Sequence, residues 1–268
     1  MSNEIKVAVL GARGRMGQEV VKMVLASENL RLVAAIDRTM KGLDVGAVLF
    51  HQPCGVLIDT DLQEALKRSE ADVLVDFTDP HSVFQNACIA IENGTRPIIG
   101  ATGLSNEQIS ELDERCKAKG IGGLFAPNFS IGAILMMKFA AEAAKYFPNV
   151  EIIEYHGDQK LDAPSGTSIQ TAQRISKQRQ ALRQGNPNEQ EIIPGSRGGE
   201  FDGFRIHSVR LPGIFAQQEV IFAGNGQALK IRHDSYDRAG YMPGVKLAVE
   251  KVVTYQGMIY GFEHLLTD

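Results

Sequence analysis

The sequence lacks the features that membrane, nucleic-acid-binding and secreted proteins depend on. Its most apolar segment, residues 131–137, is followed by Lys138 and is far too short to span a bilayer. With 28 basic and 32 acidic residues the net charge is −4, and no basic tract is long enough to predict nucleic-acid binding. The first residues lead straight into a strand-like run, so we expect no signal peptide.

Cysteine is scarce, and tryptophan is missing altogether. The three cysteines, Cys54, Cys88 and Cys116, are widely separated and include no Cys-x-x-Cys pair. This spacing favours reduced thiols in a cytoplasmic protein over a disulfide framework, and it predicts no metal site. A hydrophobic share of 44% and a charged share of 22% remain, which is typical of a globular protein. The 268 residues allow one large domain or two moderate ones.

The first half of the chain alternates short apolar runs with helical patterns. Runs such as Ile5–Leu10 and 71–77 are predominantly apolar, which is typical of strands buried on both faces of a parallel sheet. We therefore predict an α/β fold with a Rossmann-type doubly wound parallel sheet.

The second half predicts a different sheet. A strand-like run at 150–154 and three more between 205 and 234 predict an α+β domain with an open mixed or antiparallel sheet, with hairpin turns at 212–213 and 224–226. We expect a dinucleotide-binding domain at 1–127, completed by 236–268 through a final helix. The expected substrate-binding and oligomerisation domain is 128–235.

Three glycines follow the first strand at once. Gly11, Gly14 and Gly17 have the spacing Gly-x-x-Gly-x-x-Gly, and a helical pattern begins directly after them. In a Rossmann unit such glycines allow a tight turn, close approach to a pyrophosphate and packing of helix on strand. Asp37 and Arg38 end the second strand, where an acid meets the adenosine ribose or an arginine meets a 2′-phosphate. The alternative is a strand–helix–strand unit that binds no nucleotide.

The ligand crevice of such a sheet is formed by loops at the carboxyl ends of its strands. The sequence predicts these loops at 11–17, 37–38, 77–78, 100–102 and 126–129.

The stretch from Glu154 to Thr167 carries the densest chemistry. It reads Glu-Tyr-His-Gly-Asp-Gln-Lys-Leu-Asp-Ala-Pro-Ser-Gly-Thr, between a strand-like run and a helical pattern. The backbone N–H groups of Ser165, Gly166 and Thr167 would begin that helix and face an anion. Histidine is the side chain here that exchanges a proton near neutral pH. The stretch indicates a pocket for a carboxylate or phosphate substrate that is protonated, or else a solvated surface turn.

With these segments placed, the sequence resembles the 4-hydroxy-tetrahydrodipicolinate reductase (dihydrodipicolinate reductase) family of diaminopimelate and lysine biosynthesis. The resemblance covers essentially the whole chain. It rests on the glycine loop, on Gly100-Ala-Thr102, on Ala126-Pro-Asn-Phe-Ser130, and above all on Glu154-x-His156-x-x-x-Lys160-x-Asp162-Ala-Pro-Ser-Gly-Thr167. It implies NADH or NADPH as cofactor, a cyclic imine dicarboxylate as substrate, and a homotetramer whose second domains pair through their sheets.

The resemblance also implies roles for single residues. His156 is the expected catalytic acid/base and Lys160 the proton donor, while Gly166 and Thr167, with Ser165, bind the substrate carboxylate. Asp37 holds the ribose, and Arg38 with Arg15 can meet a 2′-phosphate. The expected cofactor-binding residues are Gly11, Ala12, Arg13, Gly14, Arg15, Met16, Asp37, Arg38, Gly100, Ala101, Thr102, Ala126, Pro127, Asn128 and Phe129.

One position departs from the family pattern. A second histidine that holds the substrate usually follows the catalytic one, and this chain has Gly157 there. We therefore expect altered substrate affinity.

The implied activity is NAD(P)H-dependent reduction of 4-hydroxy-tetrahydrodipicolinate to tetrahydrodipicolinate with loss of water. Glu154 and Asp162 either orient the histidine and the lysine or are simple solvated acids. A different class of function is a nucleotide-binding redox sensor without turnover, with Gly157 as the mark of that loss. The presence of His156, Lys160 and Asp162 argues against a sensor, because a sensor needs no proton donor.

Overall fold

The computed structural model describes residues 4–266 of the chain. It divides into two compact units: unit 1 is Met1–Ser130 with Tyr241–Asp268, and unit 2 is Ile131–Gly240. The boundaries expected from the sequence were 127 and 235, against 130 and 240 in this division. The expected ranges also include residues 1–3 and 267–268, which lie outside the described residues.

The order of elements follows the predicted alternation of strands and helices, and we number both in chain order. The strands are β1 (Ile5–Leu10), β2 (Leu30–Ile36), β3 (Ile58–Asp59), β4 (Val73–Asp76), β5 (Arg96–Ile99), β6 (Gly122–Phe125), β7 (Asn149–His156), β8 (Gly199–Phe201), β9 (Phe204–Arg210), β10 (Ala216–Gly224), β11 (Gln227–Ser235) and β12 (Gly257–Tyr260). The helices are α1 (Gly17–Leu25), α2 (Val45–Phe50), α3 (Leu62–Ser69), α4 (Val83–Glu92), α5 (Asn106–Lys119), α6 (Ile131–Ala143), α7 (Gly166–Ser176) and α8 (Met242–Val252). Two short 3-10 helices span Arg238–Tyr241 and Phe262–Leu265.

Unit 1 contains the predicted Rossmann-type sheet. Its seven strands lie in the order β12-β6-β5-β4-β1-β2-β3, and all are parallel. The central strands are buried along almost their whole length, as Val73–Asp76 illustrates, because helices cover both faces. The carboxyl ends of these strands meet at one edge of the sheet, which is where the predicted cofactor loops lie.

Some parts of unit 1 were not predicted. The segment 38–60 contains α2, whose first turn is capped by the carboxylate of Asp44. The last strand, β12, extends the sheet beside β6 and was also missed. Ser105 caps α5 with a full capping box, and Gly120 ends that helix with a φ of +67°.

Unit 2 contains a mixed sheet of five strands in the order β11-β10-β7-β9-β8. The turn through Gly226 joins β10 to β11 as an antiparallel hairpin, as predicted. The predicted hairpin at 212–213 is wrong, because β7 lies between β9 and β10 and pairs with β9 in parallel. The segment after β9 therefore crosses the end of β7 instead of forming a tight turn.

The faces of this second sheet differ. Side chains of Val150, Ile152 and Glu154 are buried on one face. Helix α7 packs on that same face, because Ser168 and Thr171 of α7 hydrogen-bond to Gln218, which is paired in register with Glu154. Within residues 4–266, no helix combines the length and the apolar character that a bilayer crossing requires.

Candidate active site

The glycine loop of unit 1 is a backbone structure that excludes side chains. Gly11 has a φ of +72°, a conformation that favours glycine. A Cβ atom at Gly17 would lie 2.0 Å from the Gly11 carbonyl oxygen, so only glycine allows α1 to begin so close to the strand end. Gly14 is exposed, and its N–H donates to the Gly11 carbonyl at 2.8 Å. This open turn before a helix N-terminus fits a pyrophosphate.

The carboxylate of Asp37 lies against this loop. It accepts hydrogen bonds from the backbone N–H groups of Arg13 at 2.9 Å and Arg38 at 2.8 Å. The Arg13 guanidinium lies 3.7 Å from Asp37 Oδ1 and hydrogen-bonds to the hydroxyl of Thr39. Arg13 is the arginine beside Asp37, and Arg15, which the resemblance pairs with Arg38 at a 2′-phosphate, is exposed.

A cavity of about 430 Å³ opens beside these residues. Backbone and polar groups line one part of it, and the apolar side chains of Leu10, Ile36 and Leu62 line another. The residues that offer it backbone or polar side-chain groups include Gly11, Gly14, Asp37, Arg38, Thr78, Asp79, Ser82 and Asn86. A cavity of this size with a few convergent polar groups suits the adenosine part of a dinucleotide.

The loops expected to meet the nicotinamide lie at the ends of β5 and β6. A Cβ atom at Gly100 would lie 2.0 Å from the Phe77 ring, so glycine is required there by packing. The Phe77 ring packs edge-on against Phe129, with ring centroids 5.5 Å apart. Four of the expected cofactor-binding residues have buried side chains and can offer only backbone groups: Ala12, Ala101, Ala126 and Phe129. Thr102 and Pro127 are exposed, and Asn128 Oδ1 accepts from the N–H of Ser130 at 2.8 Å.

In unit 2, a buried charge network surrounds the end of β7. Glu154 is 0% exposed and lies on the same face of the strand as His156. One carboxylate oxygen of Glu154 contacts His156 Nδ1, and the other accepts from Arg210 at 2.7 Å. Arg210 lies opposite His156 in the parallel register of β7 and β9, and it also donates to the carbonyl of Asp162 at 2.8 Å.

This network determines the charge of Glu154. Burial raises the pKa of Glu154, but hydrogen bonds from His156, Arg210 and Ser208 outweigh burial and lower it to about 2. Glu154 is therefore an ionised acceptor for the histidine ring at neutral pH, and it fixes Nδ1 as the bonded nitrogen.

The loop after β7 places a second cation. Lys160 Nζ lies 2.6 Å from Asp162 Oδ1, and the lysine side chain is 26% exposed. The hydrogen bond from Lys160 lowers the pKa of Asp162. Gly157 does not have a positive φ, and an added Cβ there would lie 3.2 Å from the carbonyl oxygen of Ile214.

The loop ends at the N-terminus of α7. The hydroxyl of Ser165 is buried and caps the helix by accepting from the N–H of Ser168 at 3.2 Å. Gly166 is exposed, and a side chain at that position would meet open space. Gly166 and Thr167 lie in the first turn of α7, and the Ser165 hydroxyl is already used as the cap of that helix.

Two family models together match almost the whole chain. The model for the N-terminus of dihydrodipicolinate reductase matches residues 5–129, and the model for its C-terminus matches residues 132–266. The chain belongs to the dihydrodipicolinate reductase family. It is therefore an oxidoreductase of lysine and diaminopimelate biosynthesis that uses a pyridine nucleotide.

Individual relatives are similar over nearly their full length. A 4-hydroxy-tetrahydrodipicolinate reductase of Desulfitobacterium hafniense is 53% identical over 98% of this chain and 99% of its own. One from Bacillus licheniformis is 51% identical over 98% of each. The solved dipicolinate-bound dihydrodipicolinate reductase of Paenisporosarcina sp. TG-14 is 44% identical, with a TM-score of 0.89 over 97% of this chain and 99% of that one. None of them supports the alternative of a redox sensor.

Sequence reasoning missed one charged residue beside the end of β7 in unit 2. Arg210 was not predicted, although it lies directly beside His156. The strand register places Arg205, His207 and Arg232 on the opposite face of the sheet from Glu154, whereas His233 pairs with Gln218, the partner of Glu154, and shares its face. The alternation along β9 identifies Arg210 only when its parallel pairing with β7 is known. Among residues 4–266, no cluster of three His, Cys, Asp or Glu side chains could hold a metal ion.

Proposed function

We propose that His156 and Lys160 carry the proton chemistry of this family member, in the reduction of 4-hydroxy-tetrahydrodipicolinate to tetrahydrodipicolinate. One hydride and one proton enter the substrate, and one water leaves. The observation that carries the proposal is the contact of the fully buried Glu154 carboxylate with His156 Nδ1. A buried acid in that position supports a functional role for the ring, because a merely solvated histidine needs no such partner.

His156 exchanges the proton through Nε2. The Glu154 carboxylate engages Nδ1, which leaves Nε2 as the ring nitrogen for the substrate. The side chain is 18% exposed, so this nitrogen can be reached from solvent while the ring stays oriented. Glu154 is the positioning residue and Arg210 holds Glu154 in place, since the arginine bonds to the other carboxylate oxygen.

Lys160 and the start of α7 bind the two carboxylates of the substrate. A lysine ammonium and the first-turn N–H groups at the start of α7 together suit a dianion. The solved Paenisporosarcina relative is bound to dipicolinate, a planar dicarboxylate, which supports this assignment. Lys160 is paired with Asp162, and that pair keeps the ammonium near the loop.

Unit 1 holds the nucleotide. The backbone of the glycine loop would carry the pyrophosphate, and Asp37 would accept from the ribose hydroxyls. When bound, the nicotinamide supplies the hydride. We expect NADH to be used at least as well as NADPH, since the Asp37 carboxylate repels a 2′-phosphate.

We further propose a cytoplasmic homotetramer that assembles through the second sheet. The face turned away from α7 carries Ile153, Tyr155 and Ile221, which α6 and α7 do not cover. Free cysteines at Cys54, Cys88 and Cys116 support a reducing compartment. Light scattering of the purified protein measures the assembly directly, and a monomer would contradict it.

Substitution of the two proton-handling residues tests the proposal. We expect His156→Gln to reduce kcat by about 10²–10⁴-fold with nucleotide affinity unchanged, the usual contribution of a positioned acid/base. Lys160→Ala should reduce kcat and raise KM, because it removes a substrate charge partner as well. The assay follows nucleotide oxidation with substrate generated in situ. If His156→Gln turns over normally, the proton comes from Lys160 or water and His156 is structural.

A further inference from the structure

Two arginines lie at the Asp37 end of the unit 1 cavity, and each is paired with a carboxylate. Arg13 contacts Asp37 at 3.7 Å, and Arg38 contacts Asp79 Oδ2 at 2.5 Å. The four side chains carry two positive and two negative charges, so they sum to zero. A 2′-phosphate entering this group would meet no unpaired guanidinium among the four.

The two acids have different structural tasks. Asp37 accepts hydrogen bonds from two backbone N–H groups, that of Arg13 in the nucleotide loop and that of Arg38 just after its own strand. Asp79 comes from the turn after β4, and its Oδ1 accepts from the N–H groups of His81 at 3.0 Å and Ser82 at 3.2 Å. Its Oδ2 is bonded to Arg38. One Asp79 oxygen thus holds the turn, and the other holds the arginine.

Arg38 is otherwise well placed for a phosphate. Its side chain is 84% exposed, and both Arg38 and Asp79 line the cavity beside Asp37. A guanidinium binds a phosphate best with two parallel N–H groups free, and the contact with Asp79 uses one of its terminal nitrogens. A phosphate that displaced Asp79 would leave that carboxylate close to its own double negative charge.

We propose that Asp79 disfavours NADPH by keeping Arg38 paired, and so acts as a specificity-determining residue of the nucleotide cavity. NADH has no 2′-phosphate and leaves the Arg38–Asp79 pair undisturbed. The inference rests on the nucleotide site proposed above.

The substitution Asp79→Asn tests this with little structural cost. The asparagine oxygen can still accept from His81 and Ser82, while the charge that holds Arg38 is removed. Dissociation constants for NADH and NADPH are measured by calorimetry for the wild type, Asp79→Asn, Arg38→Gln and the double variant. Glu64→Gln is the matched control, because this exposed acid of the same unit contacts Lys67 and not Arg38.

We expect Asp79→Asn to bind NADPH about fivefold more tightly, the upper range for an exposed charge pair, with NADH affinity changed by less than about twofold. The gain should vanish when Arg38→Gln is added, and Glu64→Gln should leave the NADPH/NADH ratio unchanged. Arg38→Gln alone should hardly affect NADPH in the wild-type background, since the arginine is already paired there.

Three outcomes overturn the inference. An unchanged NADPH/NADH ratio in folded Asp79→Asn shows that the pair has no role in selection. A gain that persists without Arg38 shows direct repulsion by Asp79 and no role for the pairing. Wild-type protein that binds neither nucleotide removes the nucleotide site itself, a failure distinct from the other two.

Discussion

The glycine loop of unit 1 and the end of β7 in unit 2 offer different kinds of chemical group to a ligand. The loop presents backbone, and a side chain is excluded outright at Gly17, where a Cβ would lie 2.0 Å from a carbonyl oxygen. The end of β7 presents side chains whose charges are paired in a buried network around Glu154. The first site is damaged by adding atoms, and the second by removing them.

The difference follows from the two ligands. A pyrophosphate is a diffuse charge that many N–H groups can share, so close approach of the backbone matters most. A proton must be delivered at one atom, so a single ring has to be oriented and its partners fixed. Residues such as Ala12 and Ala126 can contribute only backbone, which is why their side-chain identities carry little chemical information.

The largest effect is expected from adding a charged side chain to the loop. Gly14→Asp would place a carboxylate where the pyrophosphate approaches, and we expect nucleotide binding to fall below detection by calorimetry. The fold should persist because Gly14 is exposed, and the added Cβ, 3.1 Å from the Gly11 carbonyl oxygen, requires a shift of only a few tenths of an ångström.

Gly240→Asp is the matched control for this substitution. An added Cβ at Gly240 meets open space, so the same change there should leave nucleotide affinity intact. Unchanged NADH affinity in Gly14→Asp would remove the loop from the site and end the comparison.

The second effect comes from removing a charge at the end of β7. Glu154→Gln should reduce kcat by about 10- to 100-fold, the range typical when the group that orients a metal-bound histidine is lost. Glu151→Gln is the control, since Glu151 lies on the opposite face of the same strand and pairs with Arg197 and His207. Equal losses in the two variants would show that the strand needs its charges only for folding.

The same residue makes stability depend on pH. Because the pKa of Glu154 is about 2 in the folded protein and about 4.5 in an unfolded chain, its ionisation stabilises the fold above pH 4.5. That stabilisation, roughly 3 kcal/mol at most, should be lost as pH falls from 4.5 towards 2. Urea unfolding from pH 6 to pH 3.5 should therefore show a wild-type advantage over Glu154→Gln that shrinks with acidification. A constant difference would contradict the assigned pKa.

How much of each site could be predicted from the sequence depends on how far apart along the chain its contacting residues lie. The glycine spacing was informative because the constraint at Gly17 is local, set by a carbonyl only six positions earlier. The Glu154–His156 contact was also within reach, since alternate residues of one strand share a face. Arg210 was not, because its place depends on the parallel pairing of β9 with β7, and the turn at 212–213 predicted a hairpin with β10 instead.

The same reasoning applies to the rest of unit 1. The pairing of Arg38 with Asp79 joins the ends of β2 and β4, two strands separated by β1 in the sheet, and no local pattern marks it. Strand β12 is no shorter than β4, which was predicted, but its parallel pairing with β6 is a long-range contact that no local pattern marks. Sheet order and register, more than secondary structure, were what the sequence left open.

The smallest effect is expected from adding a side chain to unit 2. This change is the opposite of the removals that damage that site. Gly157 stands where the resemblance leads us to expect a second histidine, and its φ is not in the left-handed region. A histidine there would donate to a substrate carboxylate, a bond that contributes roughly 1.5–3 kcal/mol when nothing replaces it. Lys160 and the N–H groups of α7 already supply part of that charge, so we expect a smaller gain.

Gly157→His should therefore lower KM by at least about threefold with kcat nearly unchanged, because it adds binding that is the same in the ground and transition states. The control is Gly157→Ala, which adds the Cβ that would lie 3.2 Å from the Ile214 carbonyl oxygen but no imidazole. An alanine that raises KM together with a histidine that lowers it would assign the gain to the ring. A folded Gly157→His with unchanged KM, beside an alanine variant equal to the wild type, would mean that the pocket already has all the cationic groups its substrate uses.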